Sequence, residues 1–490
     1  MDAVIDPQIK TQAPDAQGNK VISARIREFF NRVAPERLDW KQKNRYYHED
    51  LTKFLSHHIE EGASVLDIGC GPGDLLASLP ISKGVGIDFA DKLIDIAKQK
   101  YPSLEYQTAE AENLPFNKSF DYVLLVDTIG LLPDVQKVFE QLGKVTREDS
   151  RVIITYYNFL WEPIYKILEA LNLKMPQPVQ NWLPLWAIEE LLYLSGFEVI
   201  KSGYRMLFPK NIPYVSTFLN RFVAKLPLIQ KLCLMEWIIA KPISKPKDSK
   251  SMTATVVVPC RNERDNIEAA IMRTPPMGRE TEFIFVDGRS NDGTVEEIER
   301  VIKAFPDKKI RLVHQKEPKG KYDAVKIGFE EAQNDVLMIL DADLTVPPED
   351  LPKFFEALAA GKGEFINGTR LVYPMEKEAM RLLNLFGNKF FGVAFSWLLE
   401  QRFSDTLCGT KVFTKANYAR IKTGRKYFGD FDPFGDFDMI FGASKLDLKI
   451  VELPIRYRER TYGTTKIRRF FHGWLLLKMC GVAMRKLKFI

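Results

Sequence analysis

The segment LMILDADLTVPPEDL, residues Leu337–Leu351, runs four apolar residues into Asp-Ala-Asp and then into a polar turn with two prolines. A short apolar run closed by turn residues predicts a buried strand. In an extended chain Asp341 and Asp343 point to the same side, with the small Ala342 between them. Two earlier segments repeat the pattern. TATVVVPCRNERDNI (Thr253–Ile267) carries Pro259, Asn262 and Glu263 at and beyond its strand end, and TEFIFVDGRSNDGT (Thr281–Thr294) ends its apolar run at Asp287. Three strands presenting acids at their carboxyl ends, with helical stretches between, predict one rim of a parallel sheet, where open α/β sheets bind ligands. Paired carboxylates there suit a hard divalent cation, Mg²⁺ or Mn²⁺, bridging a diphosphate.

A different pattern lies upstream. SVLDIGCGPGDLLASL (Ser64–Leu79) reads as strand, glycine-rich turn and helix, with Gly69, Gly71 and Gly73 allowing a sharp turn and a close backbone approach to a ligand. In GVGIDFA the next apolar run ends at Asp88, an acid able to accept both hydroxyls of a ribose. Between the two patterns AKPISKPKDSKSM (Ala240–Met252) is polar, holds two prolines and lacks apolar periodicity. The expected division is a first domain over residues 20–240, a linker over 241–251, a second domain over 252–470 and a basic amphipathic C-terminal helix over 471–490. No repeat relates the halves, which predicts two different domains.

Composition agrees. A chain of 490 residues is long for one core, and 46% apolar with 27% charged residues is globular. Five scattered cysteines form no CxxC or Cys/His cluster, which argues against zinc and disulfides and for a reducing compartment. The polar start predicts no signal peptide, and no apolar run reaches the length of a spanning helix. The net charge of +6 is uneven: from Arg456 to Ile490 there are ten Lys/Arg and one acid, Glu459. That tail suits either an anionic bilayer surface or packing on its own domain; no nucleic-acid module accompanies it. NIPYVSTFLNRFVAKLPLIQKLCLMEWIIAKP (Asn211–Pro242) predicts one or two helices, packed into the first domain in preference to lying on a membrane.

Residues from about Asp67 to Thr155 resemble a class I S-adenosylmethionine-dependent methyltransferase. VLDIGCGPG is similar to the family's first motif, Asp88 to its ribose-binding acid, and AEAENLPFNKSFDYVLL to the adenine-contacting segment, with Glu110 where aspartate is usual, followed by Ala111. The resemblance implies a Rossmann-like fold and cofactor contacts from Asp67, Gly69, Gly71, Gly73, Asp88, Glu110, Ala111 and Asp127. Methyl transfer needs a base only where the acceptor must lose a proton, for which His48, Tyr46, Tyr47 and Asp127 are candidates. The acceptor is left open, as is a catalytically silent role for this domain in binding or docking.

Residues 252–470 resemble the inverting family 2 glycosyltransferases of GT-A fold, and within them the polyprenyl-phosphate sugar synthases. That implies a nucleotide-sugar site of Pro259, Asn262, Glu263, Asp287, Lys321, Asp341, Arg370 and Lys466, with metal on Asp341 and Asp343. One departure is Gly288, followed by Arg289, where a second aspartate is usual. Arg381 is a weaker phosphate contact by spacing. DTLCGTKVF is similar to a family loop, and RERTYGTTKI to a mobile loop in which Arg460 and Lys466 close over the diphosphate. Catalysis is expected from Asp341, Asp343 and Arg460. An ionised polyprenyl phosphate needs no base, whereas a glycan hydroxyl would call on Asp436 or Asp438. Thr345, where mannose synthases usually have glutamine, leaves the sugar open. The expected protein is a two-activity enzyme at the cytoplasmic face of a membrane, with a nucleoside-diphosphate sugar as donor.

Overall fold

Runs such as Val65–Ile68 and Val336–Ile339 bury nearly every consecutive position, so both faces of their strands must be covered, and helices flanking a parallel sheet do this. The computed structural model describes residues 16–490 apart from 172, 176, 177, 179, 318, 319, 374–381, 429–435, 459–468 and 490. The chain divides into two compact units between Ile243 and Ser244.

In the first unit the strands are β1 (Ala63–Ile68), β2 (Ile81–Asp88), β3 (Glu105–Thr108), β4 (Tyr122–Val126), β5 (Arg151–Tyr157), β6 (Phe197–Arg205) and β7 (Met235–Pro242), in the order β3-β2-β1-β4-β5-β7-β6. The first five pair in parallel, and β7 lies antiparallel between β5 and β6. The order reverses between β1 and β4, which opens a crevice at their carboxyl ends. The helix Ala16–Lys43 turns Ile26, Phe30 and Ala34 inward.

The second unit holds β8 (Thr253–Cys260), β9 (Glu280–Asp287), β10 (Lys309–His314), β11 (Val336–Ile339), β12 (Phe365–Thr369), β13 (Lys411–Thr414) and β14 (Ile450–Pro454), in the order β10-β9-β8-β11-β13-β12-β14. β8 to β11 run parallel and β13 is reversed. Here the order reverses between β8 and β11. Two apolar layers, one built around Phe329, Phe395 and Phe437 and the other around Val258, Phe354 and Phe355, cover the sheet.

Three expectations change. The stretch Asn211–Pro242 holds one α-helix, Val215–Arg221, as expected, and short 3₁₀ turns, but its end is the strand β7. A central strand covered on both faces lacks alternation, so its sequence reads like a buried helix. Nor is this stretch mainly core: Ile212, Tyr214, Phe218, Phe222 and Leu228 are exposed. Because β7 runs through Pro242, Lys241 and Pro242 of the expected linker belong to the first sheet. The C-terminal helix, Arg469–Ala483, packs Leu476, Met479, Cys480 and Ala483 into the core of its own unit, while Trp474 and Leu477 stay exposed. Among the described residues no helix is long and apolar enough to cross a membrane.

Candidate functional site

In the first unit the crevice is a cavity lined by Gly69, Asp88, Glu110, Ala111 and Asp127, five of the eight residues expected at a cofactor. Gly69 has φ +81° and a Cβ there would fall 2.6 Å from Thr128 Oγ1, so only glycine lets the ends of β1 and β4 approach this closely. Gly71 supports the turn, its amide donating to Asp88 Oδ2 at 3.0 Å. Gly73 makes room for Tyr106, whose hydroxyl a Cβ would meet at 2.5 Å. Asp88 Oδ1 also accepts from Ala90 N at 2.9 Å. Burial outweighs these bonds and raises the Asp88 pKa. Asp67, buried and with both oxygens unpartnered, is pushed up to about 7 by burial, against the pull of Lys41. Glu110 accepts from Arg27 at 2.8 Å.

A second cavity adjoins the first. Arg37, Asp127 and Leu131 line both. Asp127 has φ +53° and accepts from Tyr47 Oη at 2.7 and 2.9 Å, Thr155 Oγ1 at 3.3 Å and Tyr157 Oη at 3.4 Å. Burial nonetheless raises its pKa. Tyr157 and Tyr165 present ring faces to Lys174, 5.1 and 3.6 Å from their centroids. His48 is half-buried on this cavity; burial, then Lys41 and Arg37, holds its pKa at about 4, so it is neutral at pH 7. Tyr46 instead accepts from Asn220 Nδ2 at 3.0 Å. The wall residues Phe30 and Arg37 were missed from sequence, although Ile26, Phe30 and Ala34 recur every four residues and mark the inner helix face.

In the second unit the rim gathers as the sequence predicts, by different geometry. β11 ends at Ile339, and Asp341 to Leu344 form a turn closed by Leu344 N to Asp341 O at 3.1 Å, with Leu344 at φ +51°. The two aspartates are therefore set by a turn, not by strand alternation. Lys321, first residue of the helix Lys321–Glu331, reaches Asp341 Oδ1 at 2.6 Å. Burial would lower the Lys321 pKa, but Asp341, Asp436 and Asp343 together raise it. Burial would likewise raise Asp341, but Lys321, Lys411 and Arg370 bring it below the ordinary value. A Cβ on Gly409 would fall 2.2 Å from Asp341 Oδ2, so this loop must carry glycine. Asp343 Oδ1 accepts from Thr345 N at 3.2 Å and Thr345 Oγ1 at 2.9 Å.

Beside them Asp287 accepts from the amides of Arg289 at 3.0 Å and Ser290 at 3.1 Å. Asn262 (φ +58°) accepts from Asn291 N at 3.0 Å, Glu263 N donates to Thr294 Oγ1 at 3.0 Å, and Pro259 lies one residue before the end of β8. Gly288 leaves room for Gln315, whose Oε1 a Cβ would meet at 3.0 Å. Arg370 is bidentate to Asp405, with both nitrogens at 2.7 Å. Asp436 pairs with fully buried Lys411 at 2.9 Å. Asp438 is held by Arg425 at 2.6 Å and by the Tyr322 hydroxyl. Lys411, Arg425 and Tyr322 were not foreseen, because no local motif announces partners so distant in sequence. Arg381, Arg460 and Lys466 lie outside the described residues. Among the described residues no three His, Cys, Asp or Glu side chains gather as a complete metal ligand set.

Residues 255–420 match the family model described as Glycosyl transferase family 2, and residues 59–195 match one described as a methyltransferase domain. The resemblance drawn from the sequence is borne out in both halves, and both matches are to group-transferring enzymes. A dolichol-phosphate mannosyltransferase of Saccharomyces cerevisiae is 39% identical over 22% of this chain and 42% of its own length, so less than half of that relative is spanned. A demethylmenaquinone methyltransferase of Lactococcus lactis is 29% identical over 36% of this chain and 75% of its own. A solved S-adenosylmethionine-dependent methyltransferase of Thermotoga maritima overlays 44% of this chain and 99% of its own at 17% identity, with a TM-score of 0.36.

Proposed function

We propose that the second unit transfers a sugar, with inversion, from a nucleoside diphosphate to a polyprenyl-phosphate-type lipid, and that the first transfers a methyl group from S-adenosylmethionine. The observation that carries the first half is the ionised Asp341 beside Asp343, set among Lys321, Lys411 and Arg370 at the point where the strand order reverses. An all-oxygen pair in a cationic surround suits Mg²⁺ or Mn²⁺, which takes its remaining ligands from substrate phosphate and water. Such an ion, held by Asp341 and Asp343, would supply charge against the leaving diphosphate oxygen. Lys321, kept charged and held against Asp341, would add positive charge there, and Arg460 and Lys466 are further candidates. Asp287, Asn262 and Glu263 frame the nucleotide end.

The acceptor follows from the acids. Asp436 and Asp438 are tied to Lys411 and Arg425, which makes them anchors and poor proton acceptors. An ionised phosphate needs none, which favours it over a glycan hydroxyl. For the methyl half, the cradle of Gly69 and Asp88, the unpartnered Asp67 carboxylate and the buried, unpartnered Arg37 Nε fit a ligand with both ammonium and carboxylate groups. Peripheral contact with the inner membrane face is part of this reading. The test is a screen of labelled UDP- and GDP-sugars with membranes present: label should enter an organic-soluble, acid-labile product. Asp343→Ala should lower that transfer by at least about 10³-fold while S-adenosylhomocysteine binding survives. Label confined to a water-soluble glycan would overturn the lipid acceptor.

A further inference from the structure

β6 and β7 are antiparallel neighbours, and Leu234 N donates to Met206 O at 2.8 Å where they meet. A turn of two residues could join such strands. Instead the chain leaves the sheet for the whole of residues 207–233. That excursion holds few core residues and much exposed apolar surface: Tyr214 is 90% exposed, Leu228 85% and Phe218 59%. The segment continues onto a neighbour. Asn158 Nδ2 donates to Lys231 O and Cys233 O, and Trp161 Nε1 to Leu232 O, which ties it to the helix Glu162–Ala170. That helix exposes Ile164 and Ile167, with Leu171 just beyond. An apolar surface of this extent marks an interaction site.

Charge selects the occupant. Residues 207–233 carry four Lys/Arg and no acid; Lys225 is buried, and Lys210, Arg221 and Lys231 are exposed among the apolar groups. Apolar side chains interspersed with cations fit an anionic lipid surface. The second cavity reaches the surface here, since its wall includes the exposed Leu173 and Lys210 together with Trp161, Leu168 and Pro209. We propose that the first unit docks on an anionic bilayer through this face and draws its methyl acceptor, a membrane amphiphile, into the second cavity from the lipid side. The polar head enters among Tyr47, Tyr157, Tyr165 and Asp127, next to the cofactor cavity, while the tail stays in the bilayer. The acceptor part rests on the methyltransferase reading given above; the docking part does not.

The experiment uses the full chain, with its C-terminal helix intact, and vesicles of phosphatidylcholine with or without phosphatidylglycerol. Wild type should sediment with the anionic vesicles. Arg221→Glu with Lys231→Glu, and separately Phe218→Ser with Leu228→Ser, should each weaken that binding about tenfold or more. Unchanged S-adenosylhomocysteine titrations would show that these variants keep their fold. All five native cysteines are buried, so a fluorophore can be attached selectively at Leu173→Cys, or at Lys98→Cys near the β3 edge of the sheet. Brominated lipid should quench the first label and spare the second. Variants that bind vesicles like wild type, or a Leu173 label left unquenched on bound vesicles, overturn the proposal. So does light scattering in which the face variants abolish a dimer while wild type ignores vesicles. If wild type docks but does not bind S-adenosylhomocysteine, the methyltransferase reading falls, the acceptor assignment with it, and the docking surface stands.

Discussion

The two sheets reverse their strand order in the same way, between β1 and β4 in one and between β8 and β11 in the other, yet the rims have opposite electrostatic character. At the first, burial dominates: Asp67, Asp88 and Asp127 all have raised pKa values. At the second, cations dominate: burial is outweighed and Asp341 and Asp405 are lowered. Turn chemistry differs too. The first rim takes positive φ at Gly69, Gly71, Gly73 and Asp127, while the second does so at Asn262, Arg289 and Leu344. An acidic rim where burial outweighs the nearby cations suits a ligand that brings its own positive charge, as a sulfonium does. A rim stocked with lysine and arginine suits a diphosphate. On the proposed function, one architecture would serve two ligands of opposite sign through the residues at its strand ends.

The strongest way to break this comparison is Lys321→Ala. Losing the cation held against Asp341 should lower sugar-transfer kcat about 10²-fold, with methyl-cofactor binding untouched. A loss of both activities in a folded variant would mean that the rims are not independent. Gly69→Ala tests the other side. The added Cβ meets Thr128 and forces a strained backbone, so S-adenosylhomocysteine affinity should fall about tenfold or more by calorimetry, with sugar transfer kept. Thr345→Val removes one hydrogen bond to Asp343 and should lower transfer about tenfold, recovered in part by raised Mn²⁺.

The subtlest test is of pH. Burial lifts the Asp67 pKa from 3.8 to about 7. The folded state then keeps a proton between about pH 4 and 7 that the unfolded chain has released, so this contribution is full below about pH 4 and declines up to about 7. The decline approaches about 1.4 kcal/mol per pH unit at most. Asp67→Asn should remove it, read as a flatter difference between urea unfolding at acid and at neutral pH. An unchanged slope would mean that Asp67 is already ionised in the fold.

Both rims were legible because polar residues interrupt apolar runs at strand ends, and a strand end is where an α/β sheet binds. What surrounds the rims was not. Lys411 and Arg425 reach Asp436 and Asp438 from separate elements, and a lone lysine or arginine carries no mark of its partner. Arg37 arrives from a helix that precedes the first strand. The stretch ending in β7 was misread because a strand buried on both faces shows no alternation, and the surface of residues 212–232 was expected in a core because its composition is that of one. Composition reports what a segment prefers to touch; it does not say whether protein or lipid is there to be touched.

The hydrogen bond between Leu234 and Met206 has a practical corollary. The sheet closes on itself before the excursion begins, so the strand pairing does not depend on the chain looped out between. A chain in which residues 207–233 give way to a tight turn should keep β6 and β7 paired and retain the cofactor cavity. The excursion is in that sense a detachable part, and grafting it between the antiparallel edge strands of an unrelated sheet would ask whether its function travels with it.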